Sequence, residues 1–139
     1  MNVIELPDNE DCIYKSNDKI RLDLSFMANT DLNGLRFGVI PFYKGDAPVG
    51  ASFSEELPNV KAGEEIKKSF IFDTSSLAEG TYTLSLTLLQ HDDAGNPIIA
   101  DRVDRACGIE IKKNEADGKN MNWDHRSFGS THLSALKLI

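Results

Sequence analysis

KIRLDLSFM, Lys19–Met27, and TYTLSLTLL, residues 81–89, decide the fold. In the first, Ile20, Leu22, Leu24 and Phe26 alternate with Arg21, Asp23 and Ser25. In the second, Tyr82, Leu84, Leu86 and Leu88 alternate with Thr83, Ser85 and Thr87. Successive side chains of a strand point to opposite faces, so each stretch has one apolar and one polar face. That is the pattern of an antiparallel sheet covered on one side.

Reading outward, IKKSFIF (66–72) is a third strand with Phe70 and Phe72 facing in. LRFGVIPFY (35–43) is a fourth and is apolar on both faces: Phe37, Val39 and Tyr43 on one, Ile40 and Phe42 on the other. PVGASF (48–53), PIIADRV (97–103) and CGIEIKK (107–113) supply further strands. DLNG (31–34), YKGDAP (43–48), NVKAGEE (59–65) and HDDAGNP (91–97) separate them. Gly, Asn, Asp and Pro recur there because such turns need positive φ or a φ fixed near −65°. About seven or eight short strands with almost no helical period read as an all-β, immunoglobulin-like antiparallel β-sandwich. LAEGTY (77–82) fits this class, since a Tyr heading the penultimate strand can form a tyrosine corner, its hydroxyl bonded to upstream backbone. The plainer alternative makes Tyr82 a core aromatic.

The chain has 139 residues, of which 40% are apolar and 27% charged, an ordinary globular balance. Its net charge of −7 disfavours nucleic acid and anionic membrane as partners. A neutral ligand such as a glycan would not be repelled. No run approaches the roughly 20 apolar residues of a membrane span, and MNVIELPDNED lacks the basic and apolar regions of a signal peptide. Direct membrane insertion is not expected. Cys12 and Cys107 read as reduced, part-buried thiols of a cytosolic protein, with a bridge between first and last strands as the alternative.

No nucleophile elbow, P-loop or zinc-binding His-Glu motif is present. Asp124, His125 and His132 near Ser127, Ser130 and Ser134 make a triad only on paper, since triads are defined by geometry. His91, Asp92 and Asp93 read as a solvated turn rather than a metal site, because the alternating ligands and closing Glu of a calcium loop are missing. No metal, cofactor or catalytic activity is expected. The aromatics are more informative. A strand apolar on both faces has something covering its outer face: a ligand, the tail or a partner subunit. The tail NMNWDHRSFGSTHLSALKLI (120–139) holds the single Trp, Trp123, and two of the three His.

In order along the chain, SNDKIRLDLSF, LRFGVIPFYKGDAPVGASFS, LAEGTYTLSLTLLQ, CGIEIKK and NWDHRSFG resemble the C-terminal domain of Wzt-type proteins. These are the ATP-binding subunits of ABC transporters that export O-antigen and related polysaccharides. In CGIEIKK, Cys107-Gly108-Ile109 stands where the family has Phe. The resemblance implies an immunoglobulin-like sandwich that binds the end of an undecaprenyl-linked polysaccharide on the cytoplasmic side before export. It also implies a homodimer, in some members with the C-terminal strand exchanged, and an ATPase domain upstream in such a protein. No Walker sequence is present, so ATP hydrolysis is not assigned to this chain; it is an excised domain or a stand-alone relative.

The resulting expectation is a sandwich core over 1–113, with 114–139 as linker and tail strand of the same domain. NEADGKN (114–120) is the linker and SALKLI (134–139) the strand. The candidate glycan site comprises Phe42, Tyr43 and Trp123 for stacking, and Arg36, His91, Asp101 and Arg102 for bonding sugar hydroxyls. Trp123 is preferred as an anchor for the tail, because a lone Trp in a small domain usually packs. The rival readings are an interaction or dimerisation module without a glycan and, least favoured, an enzyme.

Overall fold

The structure is a computed structural model that describes residues 2–5 (as backbone), 12–15, 17–112 and 122–139. In chain order the strands are β1 (Asn2–Glu5), β2 (Ile13–Lys15), β3 (Lys19–Met27), β4 (Arg36–Phe42), β5 (Ser52–Phe53), β6 (Glu65–Asp73), β7 (Gly80–His91) and β8 (Pro97–Lys112). One short helix follows, α1 (His125–Phe128). The linker expected at 114–120 lies outside the described residues.

The strands form two sheets, ordered β1-β3-β6 and β2-β8-β7-β4-β5. The alternation in β3 puts Ile20, Leu22, Leu24 and Phe26 on the inner face of the first sheet, all buried. Tyr82, Leu84, Leu86 and Leu88 of β7 do the same for the second. These rows meet in one core with Phe37, Val39, Phe72, Ile109 and Ile111. Phe37 reaches across the gap to Phe70, ring centroids 4.7 Å apart. Each fully buried Leu contributes about 1.5–3 kcal/mol by leaving water. The molecule is therefore an all-β sandwich. Among the described residues the strand pairings are antiparallel except one: β2 runs parallel to β8, Ile13 opposite Glu110.

At the head of β7 the Tyr82 hydroxyl donates to the Ala78 carbonyl, 2.6 Å away. This is the upstream backbone bond expected of a tyrosine corner. Burial, and next the nearby Tyr43, push the phenol far above its ordinary pKa.

Several local expectations change. PIIADRV and CGIEIKK are one bent 16-residue strand, β8, rather than two. Leu84 faces Cys107 but Leu86 faces Val103, so extra β8 residues bulge out between them. Arg105, at φ 48, sits in that bulge, and its backbone N–H donates to Ser85 Oγ at 2.9 Å. Ser85 and Thr87, on the polar side of β7, are thereby buried as well. PVGASF shrinks to the two residues of β5. β1 and β2 were not anticipated; both are short, and β2 carries no clear alternation.

The tail also departs from expectation. SALKLI is not a strand within the chain: residues 132–139 have no regular structure, and Leu133, Leu136, Leu138 and Ile139 are exposed. Pairing stops at one isolated bridge, Leu77 to Thr131, and a bond from His132 N to Ser76 O. A segment with one bridge has no ladder to hold it extended.

Cys12 and Cys107 are free, half-buried thiols packed on the core. Burial, and secondarily the Cys12 sulfur, push Cys107 up to about 11 from the ordinary 9.0. At pH 8 only roughly one Cys107 in a thousand is then thiolate. Alkylation by iodoacetamide at pH 8, followed by mass spectrometry, is expected to leave Cys107 unmodified long after a free thiol has reacted. The folded state holds this proton where the unfolded chain gives it up. Stability from Cys107 is thus present below pH 9 and lost as pH rises toward 11.

Candidate functional site

Tyr43 follows the last residue of β4 and lies partly buried against that end of the core. There its ring meets Tyr82, centroids 5.5 Å apart, and stacks flat on His125 at 3.7 Å and 4°. Gly80 makes this stack possible. A Cβ at that position would stand 2.9 Å from Tyr43 Cε1 and 3.0 Å from His125 Nε2.

His125 opens α1, whose N-cap is Asp124. The Asp124 carboxylate accepts from the Ser127 hydroxyl and from the backbone N–H groups of Arg126 and Ser127. Those bonds, the hydroxyl first, hold it below the usual carboxylate range. His125 is fixed at both nitrogens, with Nε2 2.5 Å from the Glu79 carbonyl and Nδ1 2.7 Å from Ser130 Oγ. A carbonyl only accepts, so Nε2 carries a proton; in the neutral ring Nδ1 is bare and Ser130 donates to it. Trp123 is anchored too. Its backbone N–H donates to Glu79 Oε1 at 3.0 Å and its Nε1–H to Gly129 O at 2.7 Å. Phe128 and His132 meet its ring edge-on.

Between the β4–β5 turn and this tail lies a groove of about 640 Å³. It is lined by Tyr43, Lys44, Trp123, Asp124, His125, Arg126 and Ser130. Two of the seven expected residues, Tyr43 and Trp123, therefore come together. Lys44, His125, Arg126 and Ser130 join them unanticipated, because folding of the tail onto the head of β7 is not written in strand alternation.

The other five lie elsewhere. Arg36 and His91 sit at the opposite end of the sheet, about 20 Å along β4. They flank Glu56, whose Oε1 is 3.7 Å from Arg36 and 4.0 Å from His91. Asp101 and Arg102 are on β8, where Arg102 pairs with Asp104 at 2.5 Å. Phe42 is buried. The Arg105 guanidinium lies 4.8 Å from its ring centroid, and the same group bonds Thr83 Oγ1 and the Gly45 carbonyl. The apolar outer face of β4 is thus covered by the chain's own Arg105, with Phe53 lying over Gly38.

The paper triad does not assemble. Asp124 is spent on the helix cap, His132 packs against Trp123, and the Ser130–His125 pair is tied to the sandwich by the Glu79 carbonyl. Asp92 is likewise spent, accepting from Ala94 and Asn96 in the β7–β8 turn.

No curated protein matches the chain. Among solved structures, a crystal structure of the C-terminal domain of Wzt is similar with a TM-score of 0.66 at 14% identity, covering 91% of this chain and 72% of that one. The sporulation control protein Spo0M from Bacillus subtilis is less similar, with a TM-score of 0.43 at 12% identity over 79% of this chain and 47% of that one. The family model of the Wzt C-terminal domain matches residues 3–122, ending one residue before Trp123. With nearly the whole sandwich inside that match, the chain belongs to the Wzt C-terminal domain family.

Proposed function

We propose that this chain is a non-catalytic glycan-recognition domain serving polysaccharide export by an ABC transporter. Its ligand is the end of a lipid-linked, O-antigen-like polysaccharide, met on the cytoplasmic side. The observation that carries the reading is the groove between Tyr43 and Trp123. Aromatic rings suit the apolar C–H face of a sugar, Lys44 and Arg126 offer donors for its hydroxyls, and the Ser130 oxygen can accept from one. Family membership supports the role in export. No helix among the described residues is long and apolar enough to cross a membrane; in this reading the transporter's ATPase brings the domain to the membrane. In this reading 1–113 is the core and 114–139 is part of the same domain. Of the expected contacts, Tyr43 and Trp123 are kept; Arg36, His91, Asp101 and Arg102 become contacts only for a long glycan crossing the sheet.

A shallow site implies weak binding. A Kd near millimolar corresponds to about 4 kcal/mol. NMR titration with oligosaccharides of mannose, rhamnose, galactose and N-acetylglucosamine is expected to shift resonances around Tyr43, Lys44 and Arg126. Tyr43→Ala is expected to weaken binding about tenfold, roughly 1.4 kcal/mol, and Lys44→Ala to weaken it without touching the core. Shifts confined to the Arg36–His91 end would move the site; no shifts with any sugar would remove the reading.

The exposed Leu133, Leu136, Leu138 and Ile139 favour a further element, a homodimer in which these residues are covered by, or exchanged with, a second copy. Light scattering is expected to give a dimer mass. A monomer at micromolar concentration would rule this out.

A further inference from the structure

We propose that residues 122–129 form a latch, closed by His125, and that its docking and ligand binding in the groove are one linked equilibrium. The proposal rests on the glycan reading and adds to it how the site is assembled. The latch is the stretch NWDHRSFG, and the family model's match ends at its first residue, Asn122.

The groove has two unlike walls. Tyr43 and Lys44 belong to the sandwich; Trp123, His125 and Arg126 belong to the latch. Lifting the latch leaves no groove. The latch is also lightly held. Helix α1 has no buried residue. Among the described residues, its hold on the sandwich is the His125 stack on Tyr43 with a tilted contact to Tyr82, the His125 bond to Glu79 O, and the Trp123 N–H to Glu79 Oε1. By contrast, the next three residues are pinned by backbone. Ala78 N donates to Ser130 O, Thr131 bridges Leu77, and His132 N donates to Ser76 O. Gly129, at φ 77, stands between the two parts. The latch therefore opens about a pinned base, with Gly129 as the joint. Segments with few buried apolar contacts are the ones that open locally.

His125 is the positioning residue. It covers one face of the Tyr43 ring, so a sugar stacked on Tyr43 uses the other and shares the ring with the Lys44 ammonium, 5.5 Å from its centroid; His125 also carries Trp123 and Arg126 to the groove. A ligand that touches both walls binds only the docked form. Its apparent Kd is then the intrinsic value divided by the docked fraction, and by reciprocity the ligand favours docking.

Trp123 is the chain's single tryptophan, so its fluorescence reports the latch alone. The experiment compares wild type, His125→Ala and Ser130→Ala, with thermal unfolding to check the core. The probe is the oligosaccharide panel above, and trypsin cleavage after Arg126 is a second readout. Without sugar, His125→Ala is expected to red-shift Trp123 emission and speed cleavage, with Ser130→Ala doing the same less strongly. Sugar is expected to slow cleavage in wild type. If His125→Ala lowers docking to a tenth, affinity falls about tenfold. Should His125→Ala not fold, Ser130→Ala carries the comparison. Unchanged emission and cleavage in folded variants would overturn the latch. A released latch with undiminished sugar affinity would overturn the linkage and leave the glycan reading standing. Absence of any sugar binding to wild type would overturn both.

Discussion

Tyr82→Ala is expected to destabilise the domain by about 3–5 kcal/mol, the range for emptying a buried aromatic site. Tyr82 is 1% exposed, and its ring touches both the core and the Tyr43–His125 stack. Two separate losses contribute. Tyr82→Phe keeps the ring and removes the hydroxyl donor, 2.6 Å from Ala78 O and 3.4 Å from Ser130 O, which is expected to cost roughly 1–3 kcal/mol. The remainder is cavity. Urea unfolding of the three proteins measures both parts. The alanine variant should also red-shift Trp123, because His125 loses the support beneath Tyr43. A loss below about 1 kcal/mol for Tyr82→Ala would mean that the corner is not a structural keystone.

Gly38→Val is the second large effect, expected at about 1–3 kcal/mol through overpacking. Gly38 is an interior residue of β4, where glycine usually weakens a strand and marks a close approach. The approaching group is Phe53. An added Cβ would lie 2.3 Å from Phe53 Cε1 and 3.0 Å from Thr87 Cγ2. The ring must swing into water, and the two-residue β5 loses what seats it on the sheet. The diagnostic result is non-additivity. In the Phe53→Ala background, Gly38→Val should cost much less, because the clash is already gone. Equal costs in both backgrounds would refute the seat.

Most of the sandwich was legible in the sequence because its two central strands alternate cleanly. Ile20 to Phe26 and Tyr82 to Leu88 each put one apolar row inward, and nothing else explains a strict period of two. What alternation cannot carry was missed. The parallel β2 is three residues long. The Arg105 bulge is a backbone event, and no side-chain pattern around PIIADRV announces it. The candidate site was legible only as residue types. Tyr43 and Trp123 were identified as aromatics in excess of core needs. Of the five others, Phe42 is a stacking aromatic that turns out buried, while Arg36, His91, Asp101 and Arg102 offer only hydrogen-bonding capacity, which says nothing about position. His125 carried one usable signal: it follows Asp124, a good N-cap, with Ser127 placed three residues on to bond that cap. The helix was therefore foreseeable, but its seat beside Gly80 was not.

The parallel pairing of β2 with β8 also bears on when the chain folds. Ile13–Lys15 leaves the ribosome early, yet its partner, around Ile111, comes almost a hundred residues later. Closing so long a loop is slow, as for all β proteins dominated by distant contacts. Until then β2 stays unpaired and open to chaperones or to neighbouring chains. Thr131, which must reach back to Leu77, arrives later still. Completion of this domain therefore waits for its last strand and for Thr131, and a chain stopped before β8 would be an aggregation hazard rather than a smaller folded protein.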